Sequence, residues 1–169
     1  MMLRRRSPGS IGEAHRTDLA AARTAALALL ARRDFASMEL REKLRAQGFD
    51  DGTTVAVIAE LIHGGTVSDE RYAQNYVAYH AGRGQGPLRI AAQLRGHGLA
   101  PAAVEAALAG GPDWSALASK VCRAKFGPGP PSSWSQKARQ ARFLQYRGFS
   151  SDHIRAATGA DPDTGLADV

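Results

Sequence analysis

Hydrophobic residues recur along most of this 169-residue chain at the three- and four-residue spacing of an α-helix. Three interruptions of that spacing have the same form and lie fifty residues apart, at residues 44–49, 94–99 and 144–149. In each, a leucine is followed four positions later by glycine and then by another apolar residue. A glycine directly after a helix adopts the left-handed conformation that ends it. The long, fixed period predicts tandem helical units.

The pattern predicts an all-α fold, an elongated array of three tandem three-helix repeats. Sustained alternation of apolar and polar residues, which is typical of strands, is absent. The predicted repeats are residues 18–65, residues 66–111, and residues 112–158 with a loop rich in proline and glycine at 127–133. A disordered basic N-terminus at 1–17 and a flexible acidic tail at 159–169 are predicted to flank them.

Local signals predict how some of these helices begin and which faces they bury. Ser37 and Ser150 precede apolar periodic stretches and are predicted N-caps, because a serine hydroxyl can accept a hydrogen bond from a free amide of the first turn. Leu27 and Tyr79 fall on the predicted inner faces of the first helices of repeats 1 and 2. Both side chains are therefore expected in the core.

The composition argues against a disulfide-stabilised protein and against a membrane protein. Cys122 is the only cysteine, so a disulfide framework is excluded and a cytoplasmic location is the simplest expectation. The apolar segment 19–31 is interrupted by Arg23 and is too short to cross a bilayer, so no membrane association is expected.

The net charge of +6 is distributed unevenly along the chain. Residues 115–155 contain eight lysines and arginines and one aspartate, a net charge of +7, whereas residues 24–114 are close to neutral. Such an excess predicts an anionic partner for the C-terminal third. The alternative is a basic surface that serves solubility alone.

Eleven basic residues on or beside the predicted helices form the candidate binding surface. They are Arg32, Arg33, Arg41, Arg45, Arg71, Arg89, Arg95, Lys137, Arg139, Arg142 and Arg147. For each residue alone, a solvated helix face is an equally good interpretation. Aromatic residues between them are few, which disfavours base stacking. Weak, sequence-independent contact with the DNA phosphate backbone, or contact with an acidic protein surface, is the better prediction.

The remaining reactive residues predict no catalytic site, no metal site and no cofactor. The five histidines are scattered, and none has a cysteine or carboxylate at metal-ligand spacing. Cys122 lies beside Val121 on a predicted helix and is expected to be a small buried hydrophobic residue. The glycine-rich segment 82–86 follows no strand, so it is interpreted as a connector between helices and not as a phosphate-binding loop.

Four segments resemble motifs of the RecX family of bacterial recombination regulators. They are Leu-Ala-Arg-Arg with Ser-Met-Glu-Leu-Arg-Glu-Lys-Leu at 30–44, Val-Ser-Asp-Glu-Arg-Tyr-Ala at 67–73, the glycine loop and helix at 82–98, and Phe-Leu-Gln-Tyr-Arg-Gly-Phe-Ser at 143–150. Tyr146 stands where the family more often has a basic residue. The resemblance implies three tandem three-helix repeats and binding to the RecA nucleoprotein filament. It also implies inhibition of the recombinase, ATPase and coprotease activities of RecA in DNA repair and the SOS response, without chemistry of its own.

A different class of function fits the same pattern of helices. Each unit of leucine, three residues and glycine also suits a helix followed by a tight turn, as in helix-turn-helix proteins that bind DNA directly. A DNA-binding regulator that acts without RecA is therefore the alternative to a filament-binding, non-enzymatic regulator. In either case a monomer is expected.

Overall fold

A computed structural model of the protein describes residues 13–160, and this range contains ten helices and no strand. The helices are α1 (Glu13–Arg16), α2 (Leu19–Leu30), α3 (Ser37–Ala46), α4 (Asp51–His63), α5 (Asp69–Gly82), α6 (Pro87–Gly96), α7 (Pro101–Ala109), α8 (Trp114–Phe126), α9 (Trp134–Arg147) and α10 (Ser151–Thr158). We refer to α2–α4 as repeat 1, α5–α7 as repeat 2 and α8–α10 as repeat 3. None of the described helices is long and apolar enough to cross a membrane.

The second helix of every repeat ends in the same way. Gly48, Gly98 and Gly148 have φ angles of 99°, 82° and 90°, the left-handed region that glycine adopts without steric cost. In each case the next residue donates its amide to the leucine carbonyl five positions earlier, at 3.1–3.3 Å, while the glycine amide bonds three positions back. This pair of bonds is the Schellman motif. The predicted helix ends are therefore confirmed.

The chain divides into two compact units, residues 1–69 and residues 70–169, which we describe separately. The first unit contains repeat 1, whose three helices enclose a single apolar core. Its fully buried members are Ala22, Ala26, Leu40 and Leu44, with Phe35, Phe49, Val57, Ile58, Leu61 and Val67 around them.

The prediction that Ser37 caps α3 is wrong. Ala36 occupies the N-cap position and supplies no side-chain hydrogen bond. Ser37 is the first helical residue, and both its amide and its hydroxyl donate to the Asp69 carboxylate, at 2.7 and 2.6 Å. The carboxylate that satisfies this helix start therefore comes from a residue 32 positions further along the chain, at the first residue of α5.

Part of the segment predicted as a disordered N-terminus forms a helix in the structure. Residues 1–12 lie outside the described residues, but Glu13–Arg16 form the short helix α1. The Asp50 amide donates to the Arg16 carbonyl at 3.0 Å, and the His15 ring lies 5.0 Å from that of Phe49. The segment therefore contacts the start of α4 and the end of α3. Of the predicted acidic tail, residues 161–169 lie outside the described residues.

Leu27 and Tyr79, both predicted to lie in the core, are on the surface. Leu27 is 44% exposed, because the inner face of α2 is formed by Ala22 and Ala26, whose small side chains are completely buried. Tyr79 is 60% exposed on α5, where Tyr72, Ala73, Val77 and Ala81 are the buried residues. The helical spacing is correct in both cases, but the buried face of each helix is displaced by about one residue from the predicted one.

The second unit contains repeats 2 and 3. In repeat 3 the apolar core comprises Ala118, Cys122, Ala141, Leu144, Phe149 and Ile154. Gln140 occupies the position that corresponds to Leu40 and Ile90 in the other repeats, and it is buried as they are. The Cys122 thiol donates to the Gln140 Oε1 at 3.5 Å, which gives the buried amide oxygen a partner.

Within the second unit, α6 begins directly against the end of α9. The Gly86 amide donates to the Arg147 carbonyl at 2.8 Å, and the Leu88 amide donates to the Gly148 carbonyl at 3.0 Å. The start of one helix and the end of another each leave backbone groups without partners, and here the two sets satisfy one another. Glycine is required on both sides, because a Cβ at Gly86 would overlap the Gly148 backbone and a Cβ at Gly148 would overlap Arg89.

The start of α10 predicts a loss of stability in mild acid. Ser150 is the confirmed N-cap, and the His153 Nδ1 accepts the Ser150 amide at 3.3 Å, which completes a capping box. Burial lowers the pKa of His153 below its usual 6.5, against the opposing effect of Asp152 and Asp113. Because the folded pKa lies below the unfolded one, the stabilisation is complete above pH 6.5 and is lost as the pH falls through the folded pKa.

We expect the free energy of unfolding to fall by about 1 kcal/mol more in wild type than in His153→Gln between pH 7.5 and 5. Glutamine retains an acceptor at this position of a capping box but does not titrate. Thermal unfolding of both proteins across this range measures the difference. Parallel pH profiles would show that His153 protonation does not affect the cap.

Candidate functional site

The predicted basic residues of α9 lie along an accessible part of repeat 3. Arg139 and Arg142 are exposed, and Lys137 and Arg147 are half-buried. The Arg139 guanidinium carbon lies 5.6 Å from the centre of the Phe126 ring, so its position is supported by an aromatic face and not by an acid. No carboxylate within the described residues pairs with any of these four side chains.

The basic pair on α3 has a different environment. The Arg41 Nη2 and the Arg45 Nε both lie against the Asp51 Oδ1, at 3.3 and 3.1 Å. One carboxylate at the start of α4 thus compensates part of the charge of two arginines. The two side chains do lie together, as their spacing predicts, but they are engaged within repeat 1.

Arg32 and Arg33 follow α2, and the structure separates their roles. Arg32 is exposed. Arg33 forms two hydrogen bonds to the Glu39 carboxylate, at 2.6 and 3.2 Å, and its guanidinium carbon lies 3.8 Å from the Phe35 ring centre. A bidentate pair that also stacks on an aromatic ring holds the connection between α2 and α3. Arg33 therefore serves the structure of repeat 1.

In repeat 2, Arg71, Arg89 and Arg95 are all exposed. Arg71 lies in the first turn of α5, and the other two lie on α6. The Arg89 guanidinium carbon is 5.9 Å from the ring centre of Tyr146, which is 80% exposed. An exposed aromatic ring beside an arginine is a combination that can stack on a nucleic-acid base. Sequence spacing did not predict this pair, because its members are 57 positions apart.

Arg83 is a further basic residue that the sequence reasoning missed. The Arg147 Nη1 donates to the Arg83 carbonyl at 3.1 Å, and the Arg83 Nη1 donates to the Tyr79 hydroxyl at 3.1 Å. Lys120 and Lys125 of α8 line the same cleft as Arg83 and Arg147. The only signal for Lys120 and Lys125 in the sequence was the excess of positive charge in residues 115–155. That excess does not indicate which basic residues share a face.

The histidines and the cysteine do not come together as one cluster in the described part of the chain. The ring of Tyr76 lies 4.1 Å from that of His80 and 5.5 Å from that of His97, so two of the histidines meet through a tyrosine. No group of three or more possible metal ligands occurs among the described residues. Burial raises the pKa of the Cys122 thiol, which disfavours the nucleophilic thiolate.

Comparison with known protein families gives three matches in chain order. The sequence model of the first three-helix domain of RecX matches residues 22–61, that of the second matches residues 68–108 and that of the third matches residues 113–158. The chain belongs to the RecX family. The all-α fold of three tandem three-helix domains, predicted from the glycine-terminated units, is thereby confirmed.

Individual RecX relatives are similar in sequence to most of this chain. The regulatory protein RecX of Halorhodospira halophila (strain DSM 244 / SL1) is 42% identical over 141 residues, which cover 83% of this chain and 88% of that protein. The regulatory protein RecX of Stenotrophomonas maltophilia (strain K279a) is 40% identical over 139 residues, with coverage of 82% and 85%.

The crystal structure of RecX from Lactobacillus salivarius has the same fold. It superposes with a TM-score of 0.74 over 82% of this chain and 93% of that chain, at 22% identity. The RecX relatives are named regulatory proteins. The matches extend over all three repeats, so the basic residues described above lie within the family's domains, with Arg83 and Arg89 in the second and α9 in the third.

Proposed function

We propose that the protein binds the RecA nucleoprotein filament and inhibits the recombinase, ATPase and coprotease activities of RecA in DNA repair and the SOS response. It acts in the cytoplasm as a monomer, by contact and without catalysis. RecA and the phosphate backbone of filament-bound DNA are its partners, and the contact with DNA is weak and independent of sequence.

The observation that carries this proposal is the contrast between the basic residues of repeats 1 and 3. Asp51 and Glu39 engage three of the arginines in repeat 1. Arg139 and Arg142 are exposed, and no described carboxylate pairs with them. Cations without internal partners are the ones whose charge remains available to a polyanion. The filament offers such a polyanion in its DNA.

Three linked repeats also suit a partner that is itself a repeating polymer. When one repeat has bound, the others are held at high effective concentration near the next filament subunits. Contacts that are weak one at a time then combine into useful avidity. The name of the relatives and the order of the three RecX domains in this chain support a regulatory role of this kind.

The proposal predicts that the purified protein, titrated into RecA on single-stranded DNA, lowers ATP hydrolysis and strand exchange in a dose-dependent manner. Sedimentation of assembled filaments should carry the protein into the pellet. Unchanged ATPase and strand-exchange rates at saturating protein would contradict inhibition. An absence of co-sedimentation would contradict filament binding itself.

A DNA-binding regulator that acts without RecA is the second candidate. The pairing of Arg89 with the exposed ring of Tyr146 favours it, because such a pair can bind an unpaired base. The two functions differ in their affinity for free DNA. Fluorescence anisotropy with a labelled single strand and with the RecA-coated strand distinguishes them, since a filament regulator binds the coated strand more tightly and a direct DNA binder does not.

A further inference from the structure

A groove in the second unit runs between α5 and α8, and its two halves differ in chemistry. One half is an open cleft of about 460 Å³ lined by small and apolar residues, among them Val77, Ala78, Ala107 and Gly111. The other is a cleft of about 370 Å³ lined by Arg83, Lys120, Lys125 and Arg147 together with Val121 and Phe143. Ala81, Gly82 and Leu117 line both clefts, so the two are continuous.

The apolar half is shaped for a close approach of another backbone. Its walls consist largely of alanine and glycine, which leave little side chain between the groove and whatever occupies it. Along α5 the lining extends from Gln74 to Gly82, which corresponds to about 12 Å at 1.5 Å per residue. That length accommodates about two turns of a helix.

The basic half contributes four cations and no carboxylate to one end of the groove. Lys120 and Lys125 are exposed and form no ion pair within the described residues. Arg147 is held in place by its hydrogen bond to the Arg83 carbonyl and by the Phe143 ring, 5.2 Å from its guanidinium carbon. The charged end of the groove is therefore partly preorganised.

We infer that this groove binds an amphipathic helical segment of a protein partner, with apolar side chains in the alanine- and glycine-lined half and carboxylates at the end facing Arg83, Lys120, Lys125 and Arg147. A helix that lays its apolar face into such a groove is a common mode of peptide recognition. The inference rests on the proposed function, because it identifies RecA as the source of the segment. It assigns the protein contact to this groove and leaves the DNA contact to the exposed arginines of α9.

Charge complementarity and the apolar floor together favour a protein segment over nucleic acid. The four cations would attract a phosphate backbone. A phosphate backbone has no apolar surface to bury, so the adjoining apolar cleft would not contribute to its binding. A nucleic-acid base would need an exposed aromatic face in the groove, and the one aromatic side chain in the basic half, Phe143, is half-buried under Arg147. An acidic amphipathic helix uses both halves.

The test measures the affinity of full-length variants for RecA filaments and, separately, for a labelled single-stranded oligothymidine. Ala78→Trp places a large side chain in the apolar half, and Ala78 is exposed on α5, so the substitution leaves the core intact. Ala59→Trp, at an exposed site on α4, is the matched control. We expect Ala78→Trp to raise the Kd for filaments about tenfold and to leave the Kd for oligothymidine unchanged, whereas Ala59→Trp changes neither.

For the basic half of the groove, the test substitution and its control lie on a single helix, α8. Lys120→Glu reverses a charge in the groove, and Arg123→Glu makes the same change at an exposed position of α8 that does not line it. We expect about a tenfold loss of filament affinity for the first and less than a threefold loss for the second. Lys120→Arg, which keeps the charge, should bind filaments as wild type does. Circular dichroism melting curves that match wild type establish that each variant is folded.

The outcomes separate this inference from the proposed function. If wild type does not bind filaments, the proposed function fails and the assignment of the segment to RecA fails with it. If wild type binds filaments and Ala78→Trp binds equally well, the groove is not the protein contact. If Ala78→Trp weakens oligothymidine binding as much as filament binding, the groove holds nucleic acid and the inference is overturned.

Discussion

Gly86→Ala should destabilise the second unit by about 3 kcal/mol and lower its melting temperature by roughly 10 °C. The added Cβ would overlap the backbone of Gly148, and no rotamer change can relieve this clash because the position of a Cβ is fixed by its own backbone. Separating the two chains would also lengthen the hydrogen bonds that Gly86 and Leu88 donate to the end of α9. Thermal and urea unfolding, followed by circular dichroism, measures the loss.

The matched control for this prediction is Gly96→Ala. Gly96 is an exposed residue at the end of α6, and a Cβ there would meet nothing within 4 Å. The alanine variant should be more stable than wild type by about 0.5 kcal/mol, because alanine loses less backbone entropy in a helix. If Gly86→Ala and Gly96→Ala had the same melting temperature, the close approach between α6 and α9 would not exist in solution.

Charge reversal at Arg139 and Arg142 should weaken RecA inhibition at least tenfold, and more than reversal at Arg41 and Arg45. The first pair is exposed, without carboxylate partners among the described residues, whereas the second pair shares Asp51. Removing a cation that already has an internal partner changes the external potential less. The measurement is the concentration of each variant that halves the ATPase rate of RecA on single-stranded DNA.

The affinity of the protein for filament-bound DNA should depend steeply on salt concentration. If about four phosphates are neutralised, the logarithm of the affinity for filament-bound single-stranded DNA should fall against log salt with a slope of roughly −3. Reversal at Arg139 and Arg142 should make the slope shallower by about one. A flat salt dependence, combined with full inhibition by the reversed variant, would show that contacts with RecA and not phosphate contacts account for binding.

Much of the fold was predictable because its signals are local. A leucine followed four positions later by glycine is sufficient to specify the Schellman ends at Gly48, Gly98 and Gly148, since both bonds of the motif lie within six residues. The cap at Ser150 is equally local. The choice of buried face on α2 and α5 was less determined, because Leu27 and Tyr79 lie at the margin of the apolar stripe and tertiary packing decides on which side they fall.

The candidate site was less predictable because it is made of distant residues. Asp69 satisfies the start of α3 from 32 positions away, so the local cap signal at Ser37 was misleading. The contact of Arg89 with Tyr146 and the bond from Arg147 to Arg83 join residues of different repeats. Charge counting located the excess of cations, but only the folded chain shows that Asp51 compensates Arg41 and Arg45 and that no described carboxylate compensates Arg139 and Arg142.

The contact between α6 and α9 also affects how this sequence can evolve. Its two hydrogen bonds join main-chain groups, and its closeness depends on the absence of two side chains, at Gly86 and Gly148. Neighbouring positions such as Leu88 and Tyr146, which are 57% and 80% exposed, can therefore change without altering the contact. Side chains on the outer surface beside this contact can therefore vary as long as positions 86 and 148 remain glycine.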